Sequence, residues 1–99
     1  MHDVPKVKKT KEARVVLYHA AECHLCERAR RVLELVRAEV PFELAEVDIT
    51  GDPRLEAEYR EWLPVVEIGG ERAFVYYVDP DALRRRLKRS GDATMKAGD

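Results

Sequence analysis

The sequence predicts a single α/β domain with the element order β-α-β-α-β-β-α around a four-stranded mixed sheet. Three observations lead to this prediction. A helical apolar stripe lies between two runs of strand character, Asp52-Pro53 and Asp79-Pro80 each mark a helix start, and Gly69-Gly70 separates two short strand runs. A strand, a crossover helix and a second strand form a right-handed parallel unit. A hairpin and further helices complete the domain, with helices on both faces of the sheet.

The first strand and the first helix are located by the spacing of their apolar residues. Residues 15–18 read Val-Val-Leu-Tyr, a β-branched and aromatic run that suits a central strand covered on both faces. From residue 24 to residue 38 the apolar side chains recur at helical spacing and form one stripe, which consists of Leu25, Ala29, Val32, Leu33 and Val36. Pro41 ends this helix, and residues 42–49 return to strand character.

Two later helices are located by their capping residues. Asp52 is the predicted N-cap of a short helix that runs to about residue 61, because proline at the next position is favoured in a first helical turn. Leu55 and Tyr59 form the inner face of this helix. Asp79, followed again by proline, repeats the signal and starts the last helix.

A β-hairpin is predicted between these helices. Its strands are residues 65–68 and 73–77, with Gly69-Gly70 at the turn and Glu71 and Arg72 lengthening the loop. If the aromatic end of the second strand forms an exposed edge, it offers a surface that a second copy could pair with. We therefore expect a monomer or a weak dimer.

Composition limits the classes of function. The 99 residues are 45% hydrophobic, and 18 Lys and Arg against 19 Asp and Glu give a net charge of −1. This balance argues against a nucleic-acid partner, and no stretch approaches a membrane span. The predicted domain covers residues 13–90, with polar tails at 1–12 and 91–99. The N-terminal stretch has no apolar signal region, so we expect a cytoplasmic protein.

Cys23 and Cys26 are the only cysteines, and they lie where the first strand gives way to the first helix. Unsatisfied N–H groups and the helix dipole favour an anion there, which lowers a thiol pKa from about 8.5 towards roughly 3.5–7.5. Cysteines at positions i and i+3 of a first turn also lie close enough to form a disulfide. The pattern favours dithiol redox chemistry, with Cys23 as the nucleophile and Cys26 as the resolving thiol.

Other roles for the pair stay open at this stage. The cysteines could bind zinc with His19 or His24 as a third ligand, although structural zinc sites usually need four ligands. They could also be inert buried thiols, or ligands of a cluster shared between two chains. His24 has two interpretations: an imidazolium that stabilises the Cys23 thiolate, or an exposed residue without consequence.

The cysteine pair and three further segments resemble the glutaredoxin-like proteins of the thioredoxin-fold superfamily. The segments are Val16-Leu17-Tyr18, the strand ending Glu46-Val47-Asp48, and Leu63-Pro64-Val65-Val66 with Gly69-Gly70. The resemblance is to small microbial members with a Cys-His-Leu-Cys type motif, and it spans about residues 14–89. It implies a thiol–disulfide oxidoreductase that reduces protein or glutathione mixed disulfides. The alternative is a non-catalytic redox-sensing or metal-binding module, for zinc or an iron–sulfur cluster, on the same fold.

The resemblance also implies substrate-binding residues. Pro64 matches a family proline that is cis and faces the cysteine pair, and Leu63 would then present its backbone to the substrate. A trans loop proline is the alternative. Tyr18 is similar to the tyrosine that precedes the active-site loop, and His24 lies between the cysteines.

Departures from the family pattern concern the substrate more than the reaction. The stretch before Cys23 lacks the usual lysine, and tyrosines stand where glycines usually precede the last helix. Asp79 could accept the amino group of glutathione, whereas Tyr77 could line an apolar groove for a protein partner or pack as an edge-strand aromatic. We expect no bound cofactor, with glutathione as a co-substrate. The expected partners are a disulfide-containing protein or glutathione. The expected electron donor is either glutathione or a thioredoxin-reductase-like protein.

Overall fold

The protein is described here by a computed structural model covering residues 13–88, so the expected tails lie outside the described residues. The elements are β1 (Arg14–His19), α1 (His24–Glu39), β2 (Glu43–Asp48), α2 (Pro53–Tyr59), β3 (Val65–Ile68), β4 (Glu71–Val75) and α3 (80–88). A 3-10 turn, Arg60–Trp62, continues α2. The predicted order of elements is confirmed. No helix in the described part of the chain has the length and apolar character needed to cross a membrane.

The sheet has the strand order β2-β1-β3-β4. β1 and β2 are parallel and in register from Arg14 opposite Glu43 to His19 opposite Asp48. β3 runs antiparallel to β1, with Tyr18 opposite Val65. β1 and β2 therefore end, and β3 begins, at the same end of the sheet. The loops that follow β1 and β2 and the loop that precedes β3 meet there.

Helices cover both faces of this sheet, as predicted. On one face, α1 and α3 pack on β1 and β3 through a cluster that includes Leu17, Leu33, Val66 and Leu83. On the other face, Ile49, Tyr59 and Val65 form a smaller cluster beneath α2, with Leu55 packed against it. Each buried side chain of this size contributes roughly 1.5–3 kcal/mol to the free energy of unfolding, so both clusters stabilise the sheet.

The predicted apolar stripe of α1 is largely buried from the second turn of the helix onwards but is exposed in the first turn. Ala29, Leu33 and Val36 are buried, whereas Leu25 keeps 45% of its surface exposed. The helical spacing is correct, but the first turn of α1 lies beside the segment that follows β4 and leaves Leu25 at an opening. A helical stripe indicates which face is apolar, not how far the neighbouring chain covers it.

The hairpin is confirmed, but its predicted loop is wrong. Gly69 and Gly70 alone form the turn, with φ of 61° and 86°, a conformation that glycine adopts readily. Glu71 and Arg72 belong to β4 and pair with β3, and a bulge at Ala73 shifts the register between Val66 and Glu67. The extra residue is accommodated in the strand instead of in the loop.

Candidate active site

α1 begins at the cysteine pair. Cys23 is the N-cap, with extended backbone angles of φ −117° and ψ 104°, and its Sγ accepts a hydrogen bond from the Cys26 N–H at 3.1 Å. The two cysteines form a disulfide with their Cα atoms 5.2 Å apart. Cys23 is half-buried, whereas only 4% of Cys26 is exposed. One sulfur thus lies at the helix end and the other lies inside the first turn.

The loop that leads into Cys23 is held by the β2–α2 connection. The Ala21 N–H donates to Thr50 Oγ1 at 3.1 Å, and the Thr50 N–H donates to an Asp48 carboxylate oxygen at 2.9 Å. Hydrogen bonds from the backbone and the side chain of Thr50 lower the pKa of Asp48, and the charge of His19 adds to the effect. Thr50 was not among the predicted site residues. An aspartate two residues before it at a strand end is the one sequence signal for this turn.

Glu22, which directly precedes Cys23, has a φ of 57°. Left-handed backbone costs a non-glycine residue roughly 1–2 kcal/mol, so the surrounding contacts must hold it in place. The anchored Ala21 supplies one of these contacts from the N-terminal side. On the C-terminal side, the Glu27 N–H donates to the Cys23 carbonyl at 3.2 Å and begins the helical ladder.

A polar cleft of about 200 Å³ opens on one side of α1 and reaches both cysteines. His19 and Asp48 line it from the strand ends, and Arg30 lines it from the second turn of α1. The Arg30 guanidinium donates to Glu46 at 2.7 Å, while its Nε is buried without a hydrogen-bond partner among residues 13–88. The cleft gives water and small polar groups access to the disulfide.

A second, larger opening lies on the other side of α1. This groove, of about 320 Å³, runs between α1 and the segment after β4, and Leu25 and Tyr77 are both part of its lining. Tyr77 is 66% exposed and lies beyond the end of β4, so the alternative of an edge-strand aromatic packed on the core is wrong. Tyr76, next to it, has a φ of 69° and donates its hydroxyl to the Glu61 carbonyl at 3.0 Å.

The Leu63–Pro64 peptide bond is cis, as the resemblance implied, so the trans alternative is wrong. Pro64 is buried, and its carbonyl accepts a hydrogen bond from the Tyr76 N–H at 2.9 Å. Because Val65 pairs with Tyr18, the residue before β3 lies at the edge of the sheet from which the loop to Cys23 leaves. The cis segment, the cysteine loop and the Tyr76 turn therefore share one end of the molecule.

Tyr18 lies near the end of β1, in the last strand residues before the cysteine loop. Its ring stacks on Tyr59 with centroids 4.0 Å apart, on the face of the sheet that α2 covers. Glu67 accepts a hydrogen bond from the Tyr59 hydroxyl at 3.1 Å and a longer one from Tyr18 at 3.5 Å. Burial and these neighbours raise the pKa of Tyr59. Tyr18 lines neither of the two openings beside α1.

The two remaining predicted residues lie at helix starts. His24 is the exposed first residue of α1. Asp79 is half-buried and accepts a hydrogen bond from the Asp81 N–H at 3.3 Å, which makes it the cap of α3. Within residues 13–88, no three His, Cys, Asp or Glu side chains are grouped so that they could hold a metal ion.

Comparison with protein families adds independent evidence. Residues 14–88 match the model of the glutaredoxin-like domain (DUF836). Uncharacterized proteins of Mycobacterium tuberculosis and Mycobacterium bovis are each 33% identical to the chain over 81 residues, which cover 77% of this chain and 84% of the relative.

Solved structures have the same fold. A protein from Nitrosomonas europaea superposes with a TM-score of 0.67 at 27% identity, over 77% of this chain and 92% of that one. A protein from X. campestris gives a TM-score of 0.64 at 30% identity, over 75% and 95% of the two chains. The thioredoxin of Fasciola hepatica, with a TM-score of 0.60 at 22% identity over 89% and 91%, shows the thioredoxin fold alone.

Proposed function

The chain belongs to the glutaredoxin-like domain family, and on that premise we propose that it is a thiol–disulfide oxidoreductase that reduces protein or glutathione mixed disulfides. One observation carries the proposal. Cys23 caps α1 and is joined by a disulfide to Cys26, which is buried one turn further on. A fold of this type with such a pair supports exchange between a dithiol and a disulfide.

The environments of the two sulfurs support different roles. Half-buried Cys23 stands at the positive end of the helix dipole, where its Sγ already accepts a backbone N–H. In the reduced protein the same donor stabilises a thiolate, which lowers the thiol pKa and makes Cys23 the nucleophile. Cys26 is 4% exposed and therefore meets a substrate only after Cys23 has bound it covalently.

The reaction proceeds in two balanced steps. The Cys23 thiolate attacks one sulfur of the substrate disulfide, forms a mixed disulfide and releases the other substrate sulfur as a thiolate. Cys26 then loses its proton and attacks Cys23, which closes the internal disulfide and releases the second substrate thiolate. The substrate gains two electrons and the protein loses two. Glutathione or a thioredoxin-reductase-like partner returns them, in a cytoplasm that keeps thiols reduced.

The proposed substrate contacts lie at the end of the molecule that holds the cysteine pair. The backbone of Leu63 pairs with an extended substrate segment next to Cys23, and exposed His24 contacts the incoming sulfur. Asp79 keeps one carboxylate oxygen on the cap of α3 and offers the other to the amino group of glutathione as co-substrate. Tyr18, which packs against the cluster of Ile49, Tyr59 and Val65, is the remaining substrate-binding residue that the resemblance implies.

The first test is the pH profile of Cys23 alkylation in the reduced protein. The rate of modification by iodoacetamide is measured by mass spectrometry from low to high pH, beside assays of insulin and glutathione mixed-disulfide reduction. We expect a midpoint within roughly pH 3.5–7.5, well below the value of about 8.5 for an ordinary thiol. A midpoint near the ordinary value together with no reductase activity would exclude the enzyme.

The second test separates the two thiols by trapping. Cys26→Ser should accumulate a stable mixed disulfide at Cys23 when it meets a disulfide substrate, because the resolving thiol is absent. The matched variant Cys23→Ser should trap nothing, since the remaining thiol is buried. Trapping by the second variant only would reverse the assigned roles. Stoichiometric metal retained after anaerobic purification would favour a metal-binding module instead.

A further inference from the structure

The groove on the apolar side of α1 combines exposed hydrophobic surface with positive charge. Leu25 and Tyr76 are each 45% exposed and Tyr77 is 66% exposed, and because all three line the same groove they form one exposed apolar patch. Val78, buried at 1% exposure, belongs to the same lining and ties the groove to the core. The groove begins at Leu25, one of the two residues between the cysteines.

Two arginines complete this lining. Arg28 and Arg31 follow Leu25 on α1, both are exposed, and the described lining of the groove contains no acidic side chain. Asp79 follows Val78 but is not part of this lining, and it lies at the start of α3. Neither arginine forms an ion pair with another residue of the 13–88 range, whereas Arg84 and Arg86 of α3 do.

We propose that this groove binds the disulfide-bearing segment of a substrate protein in which acidic residues and a large apolar side chain accompany the target cysteine. The inference rests on the proposed function and names its substrate class. Charge complementarity selects the occupant, because the chain as a whole has a net charge of −1 and attracts no anion by its total charge. The positive charge is local to the groove, which starts at Leu25 in the first turn of α1.

The spacing along α1 sets where the acids should be. With a rise of about 1.5 Å per residue, Arg28 lies roughly 7.5 Å and Arg31 roughly 12 Å along the helix axis from Cys23. An extended segment advances about 3.3 Å per residue. A substrate that lies along the groove therefore brings residues about two to four positions from its cysteine to the two arginines. Leu25 and Tyr77 are placed to receive an apolar side chain nearer the cysteine.

The test uses ten-residue peptides whose central cysteine carries a thionitrobenzoate group, so that turnover releases a coloured thiolate. One peptide has a leucine beside the cysteine and glutamates two to four positions away, and the second has lysines in place of the glutamates. For exposed charge pairs we expect kcat/KM to favour the acidic peptide by about tenfold, with the preference shrinking as salt rises. Arg28→Glu with Arg31→Glu should invert the order.

A matched variant controls for total charge. Arg85→Glu with Lys88→Glu makes the same change in net charge on exposed positions of α3, away from the groove, and should keep the acidic preference. If that variant also inverts the order, or if wild-type protein prefers neither peptide, the groove is not the recognition surface. Tyr77→Ala should lower kcat/KM for both peptides by a similar factor, because it removes apolar contact without a change in charge.

Two measurements separate this proposal from the proposed function. Turnover of the small neutral substrate hydroxyethyl disulfide by wild-type protein tests the chemistry alone. Fluorescence anisotropy of a labelled acidic peptide, with serine in place of its cysteine, tests binding to the oxidised protein without chemistry. Turnover of hydroxyethyl disulfide without a preference between the two peptides would contradict substrate recognition by the groove but would support the oxidoreductase activity. Binding that Arg28→Glu with Arg31→Glu abolishes, without any turnover, supports the groove and overturns the enzyme.

Discussion

α1 and α2 begin with nearly the same local geometry but with different chemistry. Cys23 caps α1 with φ −117° and ψ 104°, and Asp52 caps α2 with φ −103° and ψ 105°. The cysteine sulfur accepts the Cys26 N–H at 3.1 Å, while one Asp52 oxygen accepts the N–H groups of Arg54 and Leu55 at 3.0 and 3.2 Å. A carboxylate is an anion at neutral pH and only stabilises its helix.

A cysteine sulfur in the cap position can ionise, attack a disulfide and be oxidised. The backbone N–H that it accepts therefore acts on a reacting atom as well as on the helix start. The surroundings also differ. Asp52 lies on an exposed turn, whereas Cys23 belongs to the lining of the polar cleft and lies next in sequence to the first turn that borders the groove. The comparison shows that a helix start becomes a candidate site through the atom in the cap and the openings beside it. Backbone geometry alone does not distinguish the two.

The largest effect on activity is expected for Cys23→Ser. Serine is a favoured N-cap, so α1 keeps its start, but a hydroxyl cannot replace the thiolate. We expect reductase activity to fall to the uncatalysed background, while the unfolding free energy stays within about 0.5 kcal/mol of reduced wild-type protein. Insulin turbidity and urea unfolding under reducing conditions measure the two effects. Residual turnover would mean that Cys23 is not the nucleophile.

The converse change is Asp52→Ala. It removes the acceptor for two N–H groups and should lower the free energy of unfolding by about 1 kcal/mol. Reductase activity per folded molecule should stay close to wild type, because the cap of α2 touches neither cysteine. Asp52→Asn is the control and should restore most of the loss in urea unfolding. A loss of activity at full folding would show that the two helix starts are coupled.

A smaller effect is expected where the two starts are connected. Thr50→Val keeps the side-chain shape but removes the oxygen that accepts the Ala21 N–H. Because Thr50 is exposed, the lost hydrogen bond should cost only about 0.5 kcal/mol, the low end of the usual range. The looser loop should slow Cys23 alkylation a few-fold, as followed by mass spectrometry. Thr50→Ser should behave as wild type, and an equal slowing in both variants would contradict the role of the hydroxyl.

The smallest effect concerns pH. Hydrogen bonds from Thr50 hold the pKa of Asp48 below its ordinary value of 3.8, so the ionised carboxylate stabilises the folded state. This contribution is fully present above the unfolded pKa and is lost as the pH falls through the lower folded pKa. Asp48→Asn should therefore be less stable than wild type at neutral pH, and the difference should narrow below about pH 4 in urea unfolding. A difference that is constant with pH would rule out the carboxylate's charge as the cause.

The sequence could predict those features that depend on a few neighbouring residues. Asp52 and Asp79 were identified as caps from their own type and the proline that follows them, because capping is decided within one helical turn. The Gly69-Gly70 turn was identified for the same reason. The cysteine pair belongs to this class as well, since a position between a strand and a helix can be inferred from the spacing of apolar residues.

Features that depend on strand register could not be predicted. Tyr18 meets Glu67 because β3 pairs with β1, and it meets Tyr59 because α2 packs on that face of the sheet; nothing near residue 18 in the sequence indicates either partner. Thr50 anchors Ala21 only because β1 and β2 end side by side. β4 ends at Val75, where Tyr76 adopts a φ of 69°, so Tyr77 lies outside the strand and at the groove.

The order of the elements, their capped starts and the pair Cys23 and Cys26 could be predicted from local sequence, because each depends on interactions within one or two turns of chain. The openings on the two sides of α1 depend instead on how distant parts of the chain pack together. The groove exists because the segment after β4 returns to α1 and leaves Leu25 uncovered, and the polar cleft exists because two parallel strands end together. Such contacts join residues far apart in the chain, and packing of the whole sheet and its helices sets them.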